Sequence, residues 1–225
     1  MTITANQPYF LPYFPYWQLI HAGDVFLVSD DYAFMTKSWI ARNYIWVKGK
    51  PIYFRVRVEK ASCHRFICEH RILPPDRASL LRTLDMAYHK APFFADGMAL
   101  ADRVLSCPHL ELVPFLTASM REVCAYLGID TPFKTTSSLE GNALLRREER
   151  IFDFCHRLGA EHYVNAIGGQ ALYRGDVFRR QGIRLQFLRS TAVLTHPQMS
   201  VIDAVMYHSR EELHELLDHY TLIDG

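Results

Sequence analysis

The sequence predicts an α/β fold: an open, mostly parallel sheet flanked by helices, with a helical segment in the middle of the chain. Three observations carry this. Strand-like and helix-like stretches alternate over residues 1–30 and again near the end, as βαβ units require. Residues 75–130 are patterned almost throughout at helical spacing. No repeat, low-complexity segment or long linker interrupts the 225 residues, so the chain reads as one domain, 1–225, with 75–130 as a helical subdomain or lid within it.

The opening Thr2-Ile3-Thr4-Ala5 is short and β-prone and leads into Pro8 and Pro12, so a strand ends abruptly there. Over residues 13–22 the apolar Phe14, Trp17 and Ile20 recur at helical spacing, and Gly23 closes the helix. Residues 24–29 are an apolar run between Asp24 and Asp30, which suits a strand buried on both faces. Polar residues just past the carboxyl ends of adjacent parallel strands face one crevice. Asn6 and Gln7 follow the first strand; Asp30 and Asp31 follow the second. Chemistry is expected there.

A loop over 32–40 then carries the cation Lys37, and two strands, 43–47 and 52–58, are joined by Lys48-Gly49-Lys50-Pro51. Tyr53, Arg55 and Arg57 alternate with Ile52, Phe54, Val56 and Val58, so one face of the second strand is basic. That face is either a plain solvated one or, with Arg42, an anion-binding wall, because guanidinium groups grip phosphate or carboxylate in a bidentate fork. Cys63-His64 and Cys68-x-His70 lack the distant second pair of a structural zinc site and read as a surface loop.

A helix over 79–89 stops at Pro92, and two more, divided by Cys107-Pro108, run to Gly128. A strand at 133–135 precedes a helix over about 143–158, ended by Gly159, whose charged run at 146–150 reads as a solvated face. The strand at 162–167 ends at Gly168-Gly169, where glycines let backbone N–H groups approach an oxyanion. A short helix over 176–181, a strand over 183–188 and one or two helices over 200–220 complete the chain. Ser200 and Asp203 read as the opening cap of that last helical piece.

Hydrophobic residues at 49% and charged residues at 22% allow a full core, and a net charge of +1 gives no basic surface for nucleic acid. No segment approaches the ~20 apolar residues of a membrane span, and the first residues lack the pattern of a signal peptide. Five scattered cysteines fit reduced thiols. The expectation is a cytoplasmic protein that handles a small-molecule substrate; its oligomeric state is not specified.

Gly-x-Ser-x-Gly, Walker and Gly-x-Gly-x-x-Gly motifs are all absent. What remains is two amides (Asn6, Gln7), two acids (Asp30, Asp31), cations (Lys37, Arg42, Lys90) and a glycine turn (Gly168, Gly169). That set suits a phosphorylated or carboxylated substrate, with ATP as a candidate cofactor and Mg²⁺ on the acids as another. Of the adjacent acids, a regular strand sends only one into the crevice, with Asp31 preferred.

The same residues resemble the WbqC-like protein family. The likeness is carried in order by Asn6-Gln7-Pro8-Tyr9-Phe10-Leu11-Pro12, Asp30-Asp31, Ser38-Trp39 with Arg42-Asn43, and Tyr88-His89-Lys90-Ala91-Pro92-Phe93-Phe94. Tyr163, Gly168-Gly169 and Tyr173 follow, and then Met199-Ser200-Val201-Ile202-Asp203. The resemblance implies an enzyme of surface-polysaccharide (O-antigen) or related small-molecule biosynthesis. Joined to the residues above, it gives an expected catalytic set of Asp30, Asp31, Asn6 and Gln7. Lys37, Arg42, Asn43, Lys90, Gly168, Gly169 and Tyr173 are expected to bind substrate or phosphate, and no metal-ligand set is expected. The leading expected reaction is transfer of an acyl or aminoacyl group to an amine. The alternatives are a non-catalytic binding protein in a biosynthetic assembly and a sugar-nucleotide-modifying enzyme that does without ATP. One departure stands out: the family's pattern has His where this chain has Asn6, which hydrogen-bonds but cannot shuttle a proton near pH 7.

Overall fold

The computed structural model describes residues 1–60 and 65–225, so the Cys63-His64 pair lies outside the described residues. In chain order, β1 (Thr2–Asn6), α1 (Phe14–His21) and β2 (Val25–Val28) form the expected βαβ unit. A hairpin of β3 (Arg42–Val47) and β4 (Lys50–Arg55) follows, then α2 (Arg77–Tyr88), α3 (Phe94–Leu105) and α4 (Leu112–Leu127). Next come β5 (Phe133–Thr135), α5 (Glu148–Leu158), β6 (His162–Ala166), α6 (Gly175–Arg180) and β7 (Arg184–Ser190). The last elements are α7 (Val201–Tyr207), α8 (Arg210–Leu216) and β8 (Tyr220–Asp224).

The main sheet has the order β5-β2-β1-β6-β7-β8. Its first five strands are parallel, and β8 closes the edge antiparallel to β7. The chain therefore moves outward from β1 to β2 and β5 before returning to build β6 and β7 on the other side of β1. Strand order reverses at β1, and in open α/β sheets such a reversal opens a crevice at the carboxyl ends of the strands.

The strands alternate their side chains between two cores. Ile3, Ala5 and Leu27 pack with Ile151 and Phe154 of α5 and Phe178 of α6 on one face. Phe26 and Val28 pack on the other face with Phe14, Trp17 and Ile20 of α1. That second core continues without a break through α2, α3, α4, α7 and α8, so the helical stretch 75–130 shares the main hydrophobic core. Gly97 makes room for Met206 of α7, since a Cβ there would lie 2.4 Å from the Met206 sulfur.

Three local features differ from the sequence reading. The helix expected from about residue 143 begins at Glu148, because Arg147 sits at φ 49 and breaks the run after a single 3₁₀ turn. The hairpin turn is two residues, Lys48 and Gly49, both at positive φ, which matches the right-handed twist of its strands. The end of the chain adds β8 just after the helices expected over 200–220: five residues on an exposed edge carry little periodicity, and pairing with β7 decides their conformation. No helix among the described residues is long and apolar enough to cross a membrane.

Candidate functional site

The crevice predicted by the strand order is present. A cavity of about 370 Å³ opens at the carboxyl ends of β1 and β6, and its lining includes Asn6, Gln7, Asn165, Gly168, Gly169 and Tyr173. Five residues singled out in the sequence thus meet in one place: Asn6, Gln7, Gly168, Gly169 and Tyr173. Asn165, Tyr13 and Tyr32 join them.

Two asparagines are set alike. Asn6 Oδ1 accepts the N–H of Gln7 at 2.8 Å, and Asn165 Oδ1 accepts the N–H of Ala166 at 2.7 Å. With each oxygen held by the following backbone amide, the carboxamide NH₂ is the end left for a ligand. Gly169 makes room for one of them, since a Cβ at that position would lie 2.9 Å from Asn165 Nδ2. The backbone of Gln7 is fixed in turn by the Tyr16 hydroxyl, which donates to its carbonyl at 2.7 Å. Burial raises the pKa of Tyr13, Tyr32 and Tyr173, so their hydroxyls stay protonated near neutrality. Among the described residues the lining holds no Asp, Glu, Lys, Arg or His. It is a neutral site of amide and hydroxyl groups between aromatic walls, suited to carbonyl or phosphoryl oxygens.

The two aspartates lie past β2 and are not part of this lining. Asp31 is buried and bonded on both oxygens by Arg150 Nη2, each at 2.6 Å, and it also accepts from Thr136 Oγ1 at 2.6 Å. Asp30, equally buried, accepts from Ser137 N at 2.9 Å and from Ser137 Oγ at 2.7 Å. Arg150 is aligned by Asn142 Oδ1 at 2.9 Å and lies over the Tyr32 ring at 4.3 Å. The pair ties the end of β2 to the end of β5 and to α5. A Mg²⁺ ion on these carboxylates would have to displace Arg150, Thr136 and Ser137. Arg150 belongs to the run that sequence reasoning assigned to a solvated helix face; instead it is 6% exposed. Its signal was an unpaired Asp31 in an apolar setting, which needs a cation from elsewhere in the chain.

The cations go elsewhere. Lys37 and Lys90 are exposed. Arg42 stands on β3 with its guanidinium 4.4 Å from the Tyr53 ring centroid and lines a second, larger cleft. Asn43 is buried and donates to the Leu11 carbonyl at 2.9 Å. The Cys124 and Cys155 thiols are pushed up to about 12, and Cys68 to about 11, each chiefly by burial, so none of the three supplies a thiolate near neutrality.

A family model described as the WbqC-like protein family matches residues 7–215, nearly the whole chain. The chain belongs to the WbqC-like protein family. It is also 28% identical over 186 residues to the Mycobacterium tuberculosis protein Rv1507c, itself described as uncharacterized; the match covers 81% of this chain and 80% of that protein. No solved structure matches it.

In this WbqC-like chain the family's separate motifs converge on one loop. Leu11, buried at φ 46, has its carbonyl held by Asn43 Nδ2 and by Ser200 Oγ, both at 2.9 Å. The next carbonyl, Pro12, accepts from Trp17 Nε1 at 3.1 Å and from Val201 N at 3.0 Å. Tyr88 donates to Asp203 at 2.7 Å, and His196 Nδ1 lies 2.9 Å from the other oxygen of that acid. Asn43, Ser200 and Val201 thus brace the loop after β1, while Tyr88 ties α2 to Asp203 of α7.

Proposed function

We propose that this protein transfers an acyl or aminoacyl group to an amine, in the biosynthesis of a surface polysaccharide or a natural product. The observation that supports this best is the crevice at the reversal of strand order, with the NH₂ groups of Asn6 and Asn165 at its mouth. In this reading Asn6, Asn165 and the Gly168-Gly169 turn hold the acyl oxygen, and their donors strengthen as charge develops on it. Gln7 and Tyr173 orient the acceptor.

The lining has no titratable base, which favours a donor that arrives already activated. The amine nitrogen attacks the acyl carbon, the bond from that carbon to sulfur or to an adenylate oxygen breaks, and the leaving group or solvent takes the amine's proton. Asp30 and Asp31 then act as positioning residues, holding β2 and Tyr32 beside the crevice. Where ATP activates the acid, pyrophosphate is released before transfer.

A second reading is a non-catalytic binding protein, favoured by the same lack of a base and by Asn6 in place of the family's His. Purified protein incubated with thioester or acid-plus-ATP donors and amino-sugar or amino-acid acceptors, followed by mass spectrometry of amide products, separates the two. A new amide lost in Asn6→Ala supports transfer. Saturable binding with no product from any pair, unchanged in Asn6→His, supports the binding protein.

A further inference from the structure

We infer that the cleft beside the β3–β4 hairpin is a second ligand site, for a phosphoryl group carried on an apolar body. The cleft holds about 890 Å³ and, among the described residues, shares no lining residue with the crevice.

Its charge is mainly basic, with Arg42, Arg55, Arg57 and Lys60 against the single acid Glu59 among the described residues. The hairpin register sets Arg42 directly opposite Arg55, and Arg57 follows on the same face two residues on. Like charges opposed across an antiparallel pair repel, so this arrangement calls for a counter-ion. Among the described residues no carboxylate pairs with Arg42, Arg55, Arg57 or Lys60; Glu59, which also lines the cleft, lies 4.0 Å from Arg71. Arg42 is held in place, with Nε donating to the Ser38 carbonyl at 3.2 Å, another guanidinium nitrogen donating to the Lys37 carbonyl, and its plane over Tyr53. A fixed guanidinium fork is the side chain best shaped to meet phosphoryl oxygens two at a time.

An independent feature lies in the wall. His70 lines the cleft, is 3% exposed and lies against Phe34 with ring centroids 4.4 Å apart. Its ring nitrogens have no accessible surface, and the backbone of Arg65 lies against the imidazole. Phe34, Val56 and Val58 supply an apolar surface beside it. The volume is far more than a bare phosphate fills and falls in the range of sites for whole small molecules. A nucleotide and a phosphopantetheine both combine a phosphoryl group with such a body.

Isothermal titration of the full chain with ATP, 4′-phosphopantetheine, pyrophosphate and sulfate, all at one ionic strength, tests the assignment. Arg55 and Arg57 are exposed, so Arg55→Gln/Arg57→Gln is expected to keep the fold, with an unchanged melting temperature as the check. The site predicts that ATP or 4′-phosphopantetheine binds more tightly than pyrophosphate, and that the double variant weakens this at least ~tenfold. Asn6→Ala/Asn165→Ala leaves that binding unchanged, which separates this site from the crevice. Tighter binding of ATP assigns a nucleotide body, and the reverse assigns a pantetheine one. Binding that is equal in the double variant, matched by sulfate, lost only in the crevice variant, or absent for all four probes overturns the inference.

Discussion

Arg150 donates to both carboxylate oxygens of Asp31 at 2.6 Å, and this buried pair joins the end of β2 to the first turn of α5. Breaking such a pair from one side leaves an uncompensated charge in the interior, which costs about 3–5 kcal/mol. Arg150→Met is therefore expected to lower the unfolding free energy by that amount in urea titration. A loss under ~1 kcal/mol would mean that water reaches Asp31 and that the pair is not the brace it looks to be.

That pair also marks where the sequence was legible and where it was not. β1, α1, β2, β6 and the placing of Asn6, Gln7 and Gly168-Gly169 at strand ends follow from local signals: β-prone runs, prolines and glycines that stop them. Arg150 sits among Arg146, Arg147, Glu148 and Glu149, and charge alternation there masks one inward position. Only the fold shows that the first turn of α5 lies against Asp31. Asn165 was overlooked for a similar reason, since only the pairing of β1 with the distant β6 brings it to the crevice that Asn6 lines. The edge strand β8 is written in its pairing with β7 rather than in its own residues.

The two glycines after β6 are expected to behave differently. A Cβ at Gly168 meets nothing within 4 Å, whereas one at Gly169 presses on the Asn165 amide. Gly168→Ala should leave ligand affinity near wild type, and Gly169→Ala should weaken it at least ~tenfold, about 1.4 kcal/mol, with the melting temperature barely moved. Equal affinities for the two variants would detach Asn165 from the site.

Asn43 holds Leu11 at a positive φ that side-chain-bearing residues rarely adopt. Asn43→Ala leaves the Leu11 carbonyl with the Ser200 hydroxyl alone and is expected to cost ~1–3 kcal/mol. Hydrogen exchange should rise selectively at Phe10, whose N–H bonds to Ile40 O at 3.0 Å. Stability unchanged within ~0.5 kcal/mol would show that the loop holds its shape without this brace.

Burial raises the Asp203 carboxyl above its ordinary 3.8, against the opposing effects of Tyr88 and His196 beside it. The folded chain then binds this proton more tightly than the unfolded chain. The stability that proton contributes is complete below pH 3.8 and is lost as pH rises through the folded-state value. Asp203→Asn should flatten the fall in stability just above pH 3.8, read as denaturant midpoints at closely spaced pH values. A wild-type profile that rises with pH over this interval, with the same slope in Asp203→Asn, would remove Asp203 as its source.

The central claim is that ligand binds between the carboxyl ends of β1 and β6. The direct measurement is a thermal-shift screen of wild type and Asn6→Ala/Asn165→Ala against ATP with Mg²⁺, coenzyme A thioesters, amino acids and amino-sugar nucleotides. Ligand at about 100 times Kd adds roughly 2.7 kcal/mol, a clear rise in melting temperature. The account predicts that at least one acyl donor or amine acceptor stabilises the wild type, and that the double variant loses this shift while keeping its own unliganded melting temperature. A shift with ATP or a thioester that persists in the double variant belongs to the hairpin cleft; no shift with any of these compounds, or none that the double variant loses, would contradict it.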